Sequence, residues 1–314
     1  MYGVVNPTTE AMQLISAYVE NGFVDWSVLA SIIKPSEQDP FRELDLKWIV
    51  KSHPGLLGSM MRTRDVVYIE SSGIAVTPNG ERIGYHVKNS VDIPEIRVLS
   101  EFNIVRVTIS VCEFFRQRKD SCVEVYARTL FDPMGDAPVS LAASSGAEVE
   151  VAIFKHVYCA EMKKLRRIVG SRDQLALLQA MAVSSDSSSI ASSDGLDASF
   201  AKSSSSASAV SSSTSVCGLC TQNTSGGVSF TSSKRKPCRI CSLHVCSRCC
   251  VTKTLFIPTE KAKQLQSKDM VFCTRCILVS SCASSATFAA LDALAMEGKT
   301  VDYSEALHRK SGAP

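Results

Sequence analysis

Four Cys-x-x-Cys pairs crowd one stretch of this chain: Cys217 and Cys220, Cys238 and Cys241, Cys246 and Cys249, Cys273 and Cys276. Each pair sets two sulfurs on one tight knuckle, which suits a tetrahedral ion with Zn–S bonds near ~2.3 Å. Four knuckles make two four-sulfur sites, each expected to hold a zinc ion. Sequence order leaves two pairings open: first with second and third with fourth, or first with third and second with fourth. A structural zinc contributes on the order of 10 kcal/mol to folding, which a segment so poor in large apolar residues needs. Cys250 is a ninth thiol here and competes with Cys249, but the x2 spacing favours Cys249. The total of 13 cysteines is odd, and the start lacks a basic stretch followed by an apolar one. Both features point to reduced, metal-bound thiols in the cytoplasm rather than to a disulfide framework.

Charge is concentrated in the same region. Between Val216 and Ser280 there are 10 Lys or Arg against 2 Asp or Glu, although the whole chain carries only +3. Lys234, Arg235, Lys236 and Arg239 cluster around Cys238 and favour an anionic partner. Ahead of the cysteines, 17 of the 32 residues from Ser184 to Ser215 are serine. That composition cannot bury enough surface to offset its ordering entropy, so 183–215 is expected to be a flexible linker. It separates an N-terminal domain, 1–182, from a zinc module, 216–282, and a tail, 283–314. In the tail, Phe288, Leu291, Leu294 and Met296 give one amphipathic hint, which reads equally as a short docking helix or as a frayed terminus.

The N-terminal pattern is mixed. Thr8 to Glu20 reads as a helix, with strands over 27–33 and 44–51. Segments 65–76 and 82–88 flank Pro78-Asn79-Gly80, a hairpin turn signal. Val105, Val107, Ile109 and Val111 alternate with polar residues, as do Val123, Val125 and Ala127, the period-2 signature of half-buried strands. The period then changes. Val151, Phe154, Tyr158, Met162 and Leu165 are expected to line the buried face of a helix whose last turns carry Lys163, Lys164, Arg166 and Arg167. Gly170 ends or kinks it, and Ser171 with Gln174 reads as a capping box for a second helical stretch through Met181. The expected class is α+β: an antiparallel sheet closed by a long C-terminal helix.

Within this domain, Arg64-Asp65-Val66-Val67-Tyr68-Ile69-Glu70-Ser71, Gly80-Glu81-Arg82-Ile83-Gly84-Tyr85-His86, Ser90-Val91-Asp92-Ile93-Pro94-Glu95 and Phe131-Asp132-Pro133-Met134-Gly135-Asp136 resemble the START lipid-transfer family. The resemblance covers roughly Val4 to Met181. It implies a helix-grip fold around an apolar tunnel and an apolar lipid as ligand. That family has a helix and several strands ahead of the matching part, so the resemblance also implies an N-terminally incomplete domain.

The central spacing C-x2-C-x4-C-x2-C and the run Lys234-Arg235-Lys236-Pro237-Cys238-Arg239 resemble the FYVE zinc finger. That resemblance implies interleaved ligands and binding of phosphatidylinositol 3-phosphate on endosome-like membranes. Lys234, Arg235, Lys236 and Arg239 would meet the headgroup, and Val228 and Phe230 would insert into the bilayer. The pattern departs in several places. Lys236 and Pro237 stand where that family has paired histidines, and Ser242 stands where it has glycine. Val271-Phe272 replaces an arginine-valine pair, and no Trp-x-x-Asp precedes Cys217. All eight ligands remain; part of the headgroup contact set does not.

Other functions find less in the residues. A RING-type ligase would use a histidine ligand, and His244, the one candidate, would strand a cysteine of an otherwise complete scheme. The basic cluster lacks the aromatic interleaving of a nucleic-acid surface, so no nucleic-acid partner is expected. No G-x-S-x-G, H-E-x-x-H or P-loop occurs, and His86 reads as a hydrogen-bonding strand residue rather than a base. The expectation is a non-enzymatic, lipid-binding, peripheral membrane protein, with a zinc-stabilised protein-interaction adaptor as the alternative.

Overall fold

The computed structural model describes residues 1–20, 22–52, 62–118, 122–135, 137–171, 174, 176–177, 216–220, 237–259 and 264–298. The expected serine-rich linker therefore lies outside the described residues. The chain divides into two compact units. One comprises Met1–Lys164, Phe256–Gln266 and Ser285–Val301; the other includes Leu165–Leu255 and Ser267–Ser284.

The first unit is α+β. Helix α1 (Thr9–Val19) starts where Thr8 accepts the Ala11 N–H at 3.1 Å and stops at Glu20, whose φ of 56° is left-handed. Six strands then form an antiparallel sheet in the order β1 (Phe23–Ile33), β2 (Glu43–Lys51), β3 (Arg64–Val76), β4 (Arg82–Ser90), β6 (Thr108–Gln117) and β7 (Val123–Asp132). The seventh strand, the two-residue β5 (Val105–Arg106), pairs parallel to the start of β3. Gly80 closes the β3–β4 turn at φ 78°, a conformation glycine adopts without a Cβ penalty. Sequence order equals spatial order along the meander, which is why its short connections suffice.

Register puts two different environments on one sheet face. Ile49 lies opposite Val66 and Lys47 opposite Tyr68; Asp45 faces Glu70, and Glu43 faces Ser72. His86 pairs with Ser72 on one side and Glu113 on the other. One end of the face is thus apolar, joining Met12, Trp26, Ile49, Val66, Tyr68 and Val107 in a core. The other end is ionic.

Helix α2 (Val139–Gly170) is longer than the sequence pattern predicts, and its buried face is different. Ile153, Cys159, Met162, Leu165 and Ile168 are buried, whereas Val151, Phe154 and Tyr158 are exposed, Phe154 at 73%. Of the basic residues in its last turns, Lys163 is buried along its stem. Its Nζ donates to the Tyr2 and Val5 carbonyls at 2.7 and 3.0 Å and lies 4.3 Å from the Tyr2 ring centroid. Long cationic side chains tolerate such burial when the head meets carbonyls. The Ser171 capping box is absent as well: the Ser171 N–H donates to Ile168, and the Gln174 amide donates to the Val169 carbonyl. Strand β7 also departs from the expected alternation, since Val123 and Val125 are exposed at this end of the described sheet.

Helix α4 (Ser285–Met296) buries Phe288 and Leu291 in the first unit. Phe288 stacks on Tyr2 with centroids 6.2 Å apart, and Asp292 accepts the Tyr2 hydroxyl at 2.7 Å. The intervening helix, Thr274–Cys282, is α3 and belongs to the second unit. No single helix among the described residues is long and apolar enough to cross a membrane.

The N-terminal segment approaches α2 closely at Gly3, where a Cβ would fall on the His156 carbonyl oxygen. Backbone cannot yield there as a flexible side chain would. Gly3→Ala is therefore expected to destabilise the chain by about 1–3 kcal/mol, measured by urea denaturation; an unchanged midpoint would show that the segment is not packed this way.

Candidate metal centres and apolar cavity

In the second unit the eight cysteines gather into two quartets: Cys217, Cys220, Cys246 and Cys249, and Cys238, Cys241, Cys273 and Cys276. The pairing is interleaved, first with third and second with fourth. Within each quartet the sulfurs lie within 4.8 Å of one another. Cys220 and Cys246 sulfurs are 3.7 Å apart, as are those of Cys241 and Cys273. Four sulfurs bonded at ~2.3 Å around a tetrahedral ion would be separated by ~3.8 Å, so each quartet has the dimensions of a metal shell. The chemistry agrees: an all-thiolate tetrahedron suits zinc.

Backbone placement supports the sulfurs. The Cys246 N–H points at the Cys217 sulfur at 3.3 Å, and the Cys276 N–H at the Cys273 sulfur at 3.4 Å. Cys273 is also the N-cap of α3, where the helix dipole favours a thiolate. The quartets are tied together by Thr274 N–H to the Cys249 carbonyl at 3.0 Å. Strands β8 (Cys250–Pro258) and β9 (Leu265–Cys273) pair in a two-stranded sheet that starts just after Cys249 and ends on Cys273. Without a cation the thiols conflict. Hydrogen bonds from Cys241, Cys273 and Cys276 hold the Cys238 thiol far below its ordinary range, while the bonds of Cys276, to Cys238 first, hold that thiol far above it. A divalent ion removes the conflict by letting all four ionise.

Cys250 lies outside both quartets, its thiol directed at the Ser247 carbonyl, and His244 is no part of either. Ser242 has a left-handed φ of 58°, a conformation that costs a non-glycine residue roughly 1–2 kcal/mol. Of the expected headgroup residues, Arg239 is exposed and its N–H is used by the Val271 carbonyl at 2.8 Å. Lys234, Arg235, Lys236, Val228 and Phe230 lie outside the described residues.

The first unit holds a cavity of about 850 Å³ between the inner sheet face, α1 and α2. Met12, Ile15, Val66, Val111, Phe131 and Ala152 contribute apolar lining. Its size lies within the ordinary range of ligand pockets, roughly 300–1,000 Å³. Lys51, Arg64 and Asp65 also border it, and beyond Val66 and Tyr68 it is lined by Glu70 of β3, His86 and Lys88 of β4 and Glu113 of β6.

There, Lys47 Nζ meets Glu70 at 2.7 Å, Asn6 Oδ1 at 2.6 Å and the Asn6 carbonyl at 2.9 Å. His86 bridges two carboxylates, Nε2 to Glu70 at 2.6 Å and Nδ1 to Glu113 at 2.7 Å. An imidazole facing a carboxylate from each nitrogen is an imidazolium. Accordingly, against burial and the nearby Lys88 charge, the bonds to Glu113 and Glu70 hold His86 above its ordinary range. Glu70 is held well below the carboxylate range against its burial, by Lys47, Lys88 and His86. Burial dominates at Glu43, raising it to about 7. Sequence reasoning identified His86 as a hydrogen-bonding residue but missed Lys47, Glu70 and Glu113.

No family model matches the chain, and no curated protein matches it. Among solved structures, the human StarD13 (DLC2) lipid transfer and protein localization domain is similar over 45% of this chain, with 15% identity and a TM-score of 0.34. The match spans 63% of that chain, less than two thirds of its length.

Two outcomes are expected. The purified chain carries two zinc ions by elemental analysis. Cys241→Ser loses one ion and Cys250→Ser loses none; one ion in the unaltered chain would overturn the two-centre assignment. The second concerns Glu43. Its folded pKa is raised, so the native state binds the extra proton and stability falls as pH rises from about 4.5 to about 7. Glu43→Gln removes that ionisation and is expected to be more stable than the unaltered chain above pH 7, by on the order of 1–3 kcal/mol. Equal pH dependence in the two proteins would place the titration elsewhere.

Proposed function

We propose that the chain is a non-catalytic lipid-binding protein, with a START-like first unit that takes an apolar ligand and a FYVE-like zinc module that attaches to anionic membranes. The observation that carries the first half is the cavity: about 850 Å³ between a sheet face and a long helix, with Met12, Ile15, Val66, Val111 and Phe131 in its lining. A packed core has no such space, because interiors are filled to crystal density. The helix-grip arrangement of an antiparallel sheet and a long C-terminal helix supports the START-like reading.

The interleaved quartets support the FYVE-like reading of the second unit. Its excess of Lys and Arg gives it attraction to an anionic leaflet, worth about 1 kcal/mol per cation near the surface. Recognition of phosphatidylinositol 3-phosphate, and with it a cytoplasmic position on endosome-like membranes, is the finer part of the proposal. Two weak membrane contacts on one chain would reinforce each other where both can engage at once.

The test uses the full, zinc-loaded chain. After incubation with mixed-lipid vesicles and re-isolation, organic extraction is expected to yield about one lipid per chain, and less from Val111→Trp, which narrows the cavity. Recovery of no lipid from the unaltered chain rejects the carrier reading. Sedimentation with vesicles of 3-phosphoinositide or equally charged phosphatidylserine examines the second half. Selective binding that disappears in Lys234/Arg235/Lys236→Ala supports headgroup recognition. Equal binding that fades with salt leaves electrostatic attraction alone, and no binding to either points to a protein-interaction module.

A further inference from the structure

The two edges of the sheet are built differently. At one edge, β1 breaks register with β2 at three places, between Phe23 and Asp25, between Val28 and Ala30, and between Ser31 and Ile33. Such irregularities bend an edge strand and spoil it as a template for another strand. At the other edge, β7 pairs with β6 from Thr108 opposite Asp132 to Gln117 opposite Val123 without a shift. Its outer side is a straight row of backbone N–H and C=O groups with no partner strand among the described residues. The side chains leave it open as well. Val123, Val125, Tyr126 and Leu130 are exposed, Tyr126 at 59%. The strand contains neither proline nor lysine, the residues that commonly guard an edge.

The charges on β7 select what can lie beside it. By alternation, Glu124, Tyr126, Arg128 and Leu130 share one face, and Val123, Val125, Ala127 and Thr129 share the other. Two copies of an edge strand related by a twofold axis run antiparallel, and one residue sits opposite itself. Only a few centres are then available. Centring on Glu124 or on Arg128 sets like charges directly together. Centring on Val125 or Ala127 leaves Glu124 opposite Tyr126 or Leu130. Centring on Tyr126 sets Glu124 of each copy opposite Arg128 of the other, with Val125 opposite Ala127 and Val123 opposite Thr129. Arg128 is exposed and has no ion pair among the described residues. Glu124 meets Arg116 and Arg118 at 3.7 and 3.5 Å, both through Oε2, so Oε1 remains to accept.

We propose that a second copy of the chain docks on β7, antiparallel across a twofold axis at Tyr126, so that the two sheets become one. The backbone ladder supplies attraction, and the two Glu124–Arg128 pairs set the register. On the same face, Tyr126 already stacks on Phe114 with centroids 6.3 Å apart and planes at 28°. The twofold brings these rings against their copies, and aromatic cross-strand pairs are among the favourable ones. On the opposite face, Val123 and Val125 lose their contact with water. The strand is complementary to itself in charge and in shape, which is what an isologous interface requires.

The test is sedimentation velocity of the full, zinc-loaded chain over about 1–100 µM, the range suited to a small interface. Reductant is kept present because Cys122 and Cys282 are exposed thiols. A monomer–dimer equilibrium is expected, and hydrogen–deuterium exchange of the amides of 123–129 is expected to slow as concentration rises. Glu124→Arg and Arg128→Glu each place like charges opposite one another twice, and each is expected to weaken the dimer about tenfold. Mixed in equal amounts, the two variants oppose unlike charges again, and a heterodimer of roughly the original affinity is expected. A chain that stays monomeric overturns the proposal. If its β7 amides are protected equally at every concentration, a segment of the same chain covers the strand instead. A dimer indifferent to both reversals, or reversals that mixing does not repair, also overturns it. The exchange measurement on the unaltered chain decides the matter even where a variant misfolds, since a dimer with unprotected β7 amides pairs elsewhere.

Discussion

The first unit is organised around Lys47. A lysine with no solvent exposure is tenable because Asn6 and Glu70 take all its hydrogens and because Asp45 stands at 3.3 Å. That requirement fixes much else. Asn6 must come from the segment ahead of α1, so the N-terminus is pulled against the sheet. Glu70, shared by Lys47, Lys88 and His86, sets the register of β3 against both β2 and β4. A one-residue slip would turn every one of these charges to the opposite face. Buried ion networks need not add net stability over an apolar substitute, but breaking one partner leaves a stranded charge.

Much of this could be read from residues. Thr8 and Glu20 bound the first helix, and Gly80 marks the turn, because caps and positive-φ positions are local chemistry. The cysteine spacing displayed two metal centres for the same reason: a knuckle is a local object. Which knuckles share an ion is a long-range fact, and the residues alone left both pairings open. Ser242 is instructive here. Its left-handed backbone explains why a glycine belongs at that position in the family the module resembles, and the chain accommodates the strain.

Two failures have one cause. In β2, Glu43, Asp45 and Lys47 alternate with Leu44, Leu46 and Trp48, and ordinary polarity would send the charges outward. The structure buries the charges instead. In α2, Lys163 and Lys164 are buried while Phe154 is exposed. Both cases invert the rule that charge marks the solvent, and both do so where carbonyls or opposite charges wait inside. The available signal was a lysine two and four residues after two acids on one face of β2, a set of opposite charges able to satisfy one another when buried.

The interleaving of the quartets has a consequence for how the chain is made. A ribosome releases the polypeptide from its N-terminal end, and domains ordinarily fold in that order. Cys238 and Cys241 emerge before Cys246 and Cys249, yet their partners are Cys273 and Cys276. When the last cysteine of the first quartet has emerged, the second quartet is still two thiols short, and the pair already in hand is open to any metal ion, sulfur or oxidant nearby. Correct assembly therefore depends on the reducing power and metal supply around the nascent chain while residues 250–276 are being added. A stop codon anywhere in that interval would leave a thiol pair with no legitimate partner.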